Sequence, residues 1–347
     1  LPSTSRHFFQ RDVLTAIVLV ALSACLTATP ARADVSFLAK ASPDLVRVMT
    51  WNVGRDSMFP DAPSGHSRHE QFARVIRALD PDIVCLQEVW LGSQRAAALF
   101  DTIAPLPDRR RWQHHGVLDN VILSRADLIR READTLEVGE GRQRGHAMAL
   151  ANTAAGTDVP AIYVICGHFH SGGGERVVQR ERQADMVAGK IYALQASGGL
   201  SPRTPIVVLG DLNAIASVPA HFVADLRAGR IHDTPAPGGR APDWDGSELE
   251  DVLPRHNGRG EDTWTWRQDA SGFPPGALDR VLYTGSVLEA GRAFVLDTTT
   301  MSLDELRAAG LEREDVMLRA SEGMHDHLPL VVDFGRVRGP AATPPAR

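Results

Sequence analysis

The chain has 347 residues, 43% hydrophobic and 23% charged, a balance that excludes a disordered or fibrous protein and suits a globular one. At this length roughly three quarters of the unfolded surface can be buried, so a large core is within reach. Net charge is −6, and Lys40 and Lys190 are its lysines among many arginines, so no global basic field recruits a polyanion.

The first segment reads as targeting rather than fold. Arg6 and Arg11 precede the apolar run Val13–Leu26, and Ala31-Arg32-Ala33 makes a small-x-small cleavage site before Asp34. A spanning helix needs about 20 apolar residues, more than this run supplies. Residues 1–33 are therefore expected to be a signal peptide, and the protein to be exported to the periplasm or the exterior. A second reading stays open: Leu22-Ser23-Ala24-Cys25 resembles a bacterial lipobox, which would anchor the chain through an acylated Cys25. Without residues 1–33 the chain becomes slightly more acidic. Cys85 and Cys166 sit inside apolar runs and are expected as buried thiols.

After a linker over 34–44, apolar runs of strand length alternate with helical stretches, the pattern of a layered α/β domain over 45–335. Leu45–Trp51 reads as a strand, and His69–Leu79 as a helix with Phe72, Val75, Ile76 and Leu79 on one face. Ile83–Leu86, Asn120–Leu123, His146–Ala151 and Ala161–Cys166 are further strands, and Glu175–Gln195 is the longest helix. Pro205–Leu209, Leu278–Tyr283, Val287–Leu296 and Leu328–Phe334 complete the strands. Pro235 to Pro275 reads as long ordered loops, Ser302–Arg319 as a helical insertion, and 336–347 as a disordered tail. No internal repeat or interdomain linker is evident, and a monomer without an obligate protein partner is expected.

Polar residues recur where the apolar runs end. Asn52, Glu88, His168, and the pair Asp211 and Asn213 each follow a run, while Asp326 and His327 directly precede one. Strand ends on one edge of a layered fold converge, so these residues are expected to meet in one pocket. Three acids, two amides and two imidazoles form an oxygen-rich set suited to Mg²⁺ or Mn²⁺, with Ca²⁺ also accommodated. Phosphoester hydrolysis needs such a set: water adds in line while charge spreads over the non-bridging oxygens. Glu88 can anchor the metal, Asp211 can orient and deprotonate the water, and Asn52 and Asn213 can approach phosphate without repulsion. His327 and His168 can donate to phosphoryl oxygens, and Asp279 can hold the His327 ring and raise its pKa.

The ordered motifs Thr-Trp-Asn-Val (50–53), Leu-Gln-Glu-Val (86–89), Asn-Val-Ile-Leu-Ser-Arg (120–125), Gly-His-Phe (167–169), Gly-Asp-Leu-Asn (210–213), Leu-Asp-Arg-Val-Leu-Tyr (278–283) and His-Asp-His-Leu-Pro-Leu (325–330) resemble those of the endonuclease/exonuclease/phosphatase, or DNase I-like, family. The resemblance implies a four-layer α/β sandwich, two mixed β-sheets packed face to face with helices outside. It implies Glu88 as principal metal ligand with Asn52 and Asp326 near metal or phosphate, Asp211 at the water, and Asn213 on phosphate. His327 with Asp279, and His168, would contact the scissile phosphate. Two departures are noted: His325 stands where the family often has Ser, and Arg280 where many members have an aromatic residue, making Arg280 a candidate substrate contact.

Gly-His-Phe-His (167–170) also imitates a calcineurin-like metallophosphoesterase motif, but there it comes last, whereas here it precedes Gly210-Asp211 and no Gly-Asn-His exists. The expected function is a phosphodiesterase or nuclease acting on nucleic acid or nucleotide. A phospholipid or sugar-phosphate hydrolase is the alternative, and a catalytically inactive binding module the rival of another class. A nuclease calls for an Arg-lined groove, a lipid enzyme for an exposed apolar rim. His170 and His325 are expected near the site without a direct role, Arg125 in a structural ion pair, Arg180 and Gln183 bracing the long helix, and Trp244, Trp264 and Trp266 pinning loops.

Overall fold

Fourteen strands and five helices alternate in the computed structural model, which describes residues 34–137, 143–153, 156–215, 221–231, 241–322 and 324–337. The signal segment with Cys25, and the tail from 338 onward, lie outside the described residues. Among the described residues no helix is long and apolar enough to cross a membrane.

The strands are β1 (Val46–Asn52), β2 (Ile83–Gln87), β3 (Gln113–Val117), β4 (Asn120–Ser124), β5 (Leu128–Glu137), β6 (Gln143–Asn152), β7 (Ala161–His168), β8 (Ile206–Asp211), β9 (Glu250–Val252), β10 (Trp266–Gln268), β11 (Asp279–Tyr283), β12 (Leu288–Val295), β13 (Met324–His327) and β14 (Leu330–Arg336). The helices are α1 (His69–Leu79), α2 (Ser93–Ile103), α3 (Arg176–Ala196), α4 (His221–Ala228) and α5 (Leu303–Ala309). One six-stranded sheet runs β12-β14-β1-β2-β4-β3, a second β5-β6-β7-β8-β11-β9, and β10 with β13 makes a separate two-stranded ribbon. Each sheet is mixed, with one parallel pair (β1 with β2, β7 with β8) among antiparallel neighbours.

Alternation along β7 shows how the layers are made. Ile162, Val164 and Cys166 join the core between the sheets, where Cys85 of β2 faces Cys166. Tyr163 and Ile165 turn the other way, onto Ala184, Val187 and Ile191 of α3 and Phe222 and Leu226 of α4. On the far side of the first sheet Trp51 stacks on Phe72 of α1 with ring centroids 5.3 Å apart, and Phe72 meets Phe100 of α2. The result is the expected four-layer α/β/β/α sandwich. Cys85 and Cys166 are buried free thiols.

Several elements differ from the sequence reading. α2 was not foreseen, although Ala96, Ala97, Leu99, Phe100 and Ile103 form a buried helical face. β3 is a polar edge strand and β5 a charge-rich one, so neither shows the apolar alternation of a core strand in its sequence. The expected helical insertion over 302–319 is helical only at Leu303–Ala309, where Ser302 and Glu305 form a capping box and Gly310 ends it in the left-handed conformation.

Candidate active site

Register aligns the polar residues. Parallel pairing sets Asn52 beside Gln87, so Glu88 follows at the end of the neighbouring strand. In the second sheet His168 pairs with Asp211, and Asp211 with Asp279, giving a row of three functional side chains across β7, β8 and β11. Gly167 and Gly210 precede that row as direct neighbours, and a Cβ on Gly210 (φ +142°) would lie 1.9 Å from the Gly167 carbonyl oxygen. Glycine is therefore the residue that permits this approach.

Asn52, Glu88, His168, Asp211, Asn213, Asp326 and His327 all line a single cleft of about 380 Å³. Asp211 is its centre. Its Oδ2 accepts from Asn52 Nδ2 at 3.1 Å and lies 3.5 Å from both His168 Nε2 and His327 Nε2. Asn52 Nδ2 also reaches Glu88 Oε1 at 3.3 Å, and the Arg55 backbone N–H donates to Glu88 Oε2 at 2.9 Å. Asn213 N–H donates to Asp211 Oδ1, and its Nδ2 donates to the Phe169 carbonyl. Glu88, Asn213 and Asp326 adopt left-handed φ of 62°, 50° and 56°. Such strain in non-glycine residues concentrates at functional sites.

Each imidazole has a carboxylate behind it. His327 Nδ1 faces Asp279 Oδ2 at 2.7 Å and His168 Nδ1 faces Asp119 Oδ2 at 2.6 Å, both acids fully buried. Burial alone would lower the His327 pKa, but Asp279, Asp211 and Asp326 hold it well above the usual histidine value. His168 follows the same logic: burial opposes its charge, while Asp119 and Asp211 raise its pKa overall. Burial, and then repulsion from Glu88 and Asp211, raise the Asp326 carboxyl, with His327 opposing.

The carboxylates fit a hard divalent cation. Glu88, Asp326 and Asp211 share one cleft, and their mutual repulsion is what a cation would relieve. Beside them the Gly54 N–H donates to Asn52 Oδ1 at 3.1 Å and holds that amide in place. A tighter trio, Asp211, Asp279 and His327, has ligand atoms within 4.8 Å of one another. There, however, His327 Nδ1 already engages Asp279, and Asp279 lies behind the ring outside the cleft lining, so the trio is a hydrogen-bonded chain first.

Arg280 is the predicted residue that the structure does not bring to the cleft. It neighbours Asp279 on β11, so strand alternation turns it to the other face, where it pairs with Asp251. Sequence reasoning missed Asp119 and Arg144. Among the described residues Arg144 is the one arginine lining the cleft, 3.7 Å from Asp119. Asp119 sits in the β3–β4 turn, immediately before the motif that begins at Asn120, and that adjacency was the available signal. The bracing expected of Gln183 and Arg180 falls on the loop after β7: Gln183 binds the His170 N–H and the His168 carbonyl, and Arg180 the His170 and Gly172 carbonyls. Arg125 pairs with Asp80 and Asp82. Trp244 is pinned to the Thr204 carbonyl, whereas Trp266 lines the cleft.

A sequence profile of the Endonuclease/Exonuclease/phosphatase family matches residues 49–301. The chain belongs to that family. Its members hydrolyse phosphoric ester bonds, and this chain is an enzyme of that class. No curated protein matches it by sequence. Among solved structures of the same fold, the human Nocturnin catalytic domain is 17% identical, with 85% of this chain and 95% of that one covered and a TM-score of 0.52. Truncated TDP2 from Caenorhabditis elegans is also 17% identical, covering 84% and 97% with a TM-score of 0.52. The mannosyl-6-phosphatase Bt3783 of Bacteroides thetaiotaomicron is 16% identical, covering 83% and 99% with a TM-score of 0.53. The family match spans the motifs from Thr-Trp-Asn-Val to Leu-Asp-Arg-Val-Leu-Tyr, and the three solved structures share the layered architecture described above.

Proposed function

We propose that the protein is an exported, divalent-metal-dependent phosphodiesterase. The observation that carries the reading is the convergence of Glu88, Asn52 and Asp326 with Asp211 flanked by two carboxylate-backed imidazoles in one cleft. Glu88, Asn52 and Asp326 would hold Mg²⁺ or Mn²⁺, which when bound would polarise the phosphate and stabilise the leaving oxygen. Asp211 Oδ2 is placed to orient the attacking water and take its proton. His327 Nε2 and His168 Nε2 face the same space and donate to phosphoryl oxygens, most strongly as imidazolium. Asn213 positions the phosphate. The water oxygen forms the new bond to phosphorus as the ester P–O bond breaks, and the leaving oxygen takes up a proton.

A singly charged diester suits the cleft better than a dianionic monoester, since Arg144, the one lining arginine among the described residues, shares its charge with Asp119. Export rests on the leader-like pattern of residues 1–33.

The test is hydrolysis by purified protein with Mg²⁺, Mn²⁺ or Ca²⁺ of a bis-aryl phosphodiester, plasmid DNA, RNA, phosphomonoesters and sphingomyelin, with Asp211→Ala as control. Diester hydrolysis lost to chelator and to the variant is expected. Activity indifferent to both would refute the mechanism.

A further inference from the structure

The wall of the cleft opposite its polar floor is apolar, formed by Ile215, Trp266, Phe273, Pro274, Pro275 and Leu278. It runs outward to Phe273, which is 66% exposed. Other exposed apolar side chains belong to segments leading from the same edge. Trp90, 56% exposed, stands two residues past Glu88. Leu118 directly precedes Asp119, whose carboxylate holds His168. Val178, 52% exposed, lies in the first turn of α3, just after the cleft-lining stretch Ser171–Gly173. Of the seven exposed large apolar side chains among the described residues, Phe273 thus lines the cleft, and Trp90, Leu118 and Val178 stand within a few residues of segments that line or back it. Apolar tips concentrated in one place mark an interaction surface, whereas single scattered ones need no explanation.

We propose that this rim docks the cleft onto a zwitterionic phospholipid surface, from which the substrate phosphodiester is drawn. The identity of the occupant follows from where the rim is. A protein partner or a second copy seated on it would cover the cleft and shut out substrate. A lipid surface is the apolar partner that itself carries phosphodiesters. The phosphate would then sit on the polar floor, with the apolar part of the lipid following the wall from Leu278 to Phe273. Charge fits a zwitterionic surface rather than a strongly anionic one. The chain is acidic, with net charge −6, and Arg55 and Arg176 supply exposed guanidinium groups on the same edge for headgroup phosphates. Tryptophan suits this boundary because its ring body is apolar and its N–H is polar.

The proposal rests on the phosphodiesterase reading, and the two are separable by experiment. Purified protein is sedimented with phosphatidylcholine vesicles, and hydrolysis of vesicle lipid is compared with that of a water-soluble bis-aryl phosphodiester. The double variant Trp90→Asp/Val178→Asp changes tips outside the cleft, and its melting curve is recorded to confirm folding. Wild type is expected to bind the vesicles. The variant should bind about tenfold or more weakly and hydrolyse vesicle lipid correspondingly slowly, with soluble-diester turnover within about twofold of wild type. Wild-type protein that stays in the supernatant overturns the docking surface, as does a folded variant that binds like wild type. So does light scattering that shows a dimer which the variant dissolves. Failure on the soluble diester alone counts against the phosphodiesterase reading and leaves the vesicle-binding result standing.

Discussion

His146 should make the fold sensitive to acid. It lies on β6, 1% exposed, with neither ring nitrogen hydrogen-bonded and its ring edge-on to Phe169 at 5.4 Å. Burial, with nothing to compensate it, pushes its pKa down from 6.5 to about 4. The depressed value means the folded state requires the neutral ring. Its contribution is full above the unfolded pKa of 6.5 and is lost as pH falls from there toward 4. At 1.36 kcal/mol per pKa unit, about 2.5 kcal/mol should vanish between pH 7.5 and pH 4.5. The assay is urea unfolding of wild type and His146→Phe at both pH values. The larger ring shifts stability by a similar amount at each pH, so the pH-dependent part of the difference isolates the titration. Wild type should lose about 2.5 kcal/mol more than the variant over this interval. Parallel losses would refute the assignment of a buried, unpaired, neutral imidazole.

Glu88→Gln should raise the divalent-metal concentration for half-maximal activity by about tenfold or more, read by metal titration of diester hydrolysis. An unchanged midpoint would remove Glu88 from the metal site. If protonated His327 serves the reaction, the alkaline limb of the kcat/KM profile reports its raised pKa; Asp279→Asn, by deleting the facing charge, should move that limb to lower pH. A limb that stays in place would exclude this pair as its origin. Arg144→Ala should lower kcat/KM by about tenfold or more while Arg280→Ala stays within about threefold, and the reverse order would overturn the placement of both. Gly210→Ala should lower the denaturant midpoint by the equivalent of about 3 kcal/mol or more, because the new Cβ meets the Gly167 backbone, and a wild-type midpoint would contradict the strand spacing.

The floor of the site was legible because its residues stand at the ends of apolar runs. Asn52, Glu88, His168 and Asp211 mark where β1, β2, β7 and β8 stop, and parallel neighbours stop on the same edge. What escaped depends on distance or parity. Asp119 meets His168 across 49 residues, and nothing local to either names the other. Arg144 lies on a strand whose outer end is polar and exposed, so it reads as surface. Arg280 could have been placed by strand parity: on β11 it faces the opposite side from Asp279, whose carboxylate backs His327. α2 was readable from its Leu99, Phe100 and Ile103 stripe, but its alanines and a Gly92 N-cap without a side-chain hydrogen bond gave it no clear beginning.

The β10–β13 ribbon belongs to neither sheet, and it brings two tasks together on one two-stranded unit whose strands are distant in the chain. Trp266 pairs directly with His327, and Arg267 with Asp326. The apolar wall and the catalytic pair are therefore opposite edges of one lever. Under the proposed function, a substrate filling the wall would bear on Trp266 and, through the ladder, on the backbone that carries His327. Contact far from phosphorus can in this way sharpen the alignment of the proton donor, appearing in kcat as well as in affinity. A small phosphate ester that never touched the wall would leave the ribbon unloaded, and the difference would be read as a lower kcat for the smaller ester.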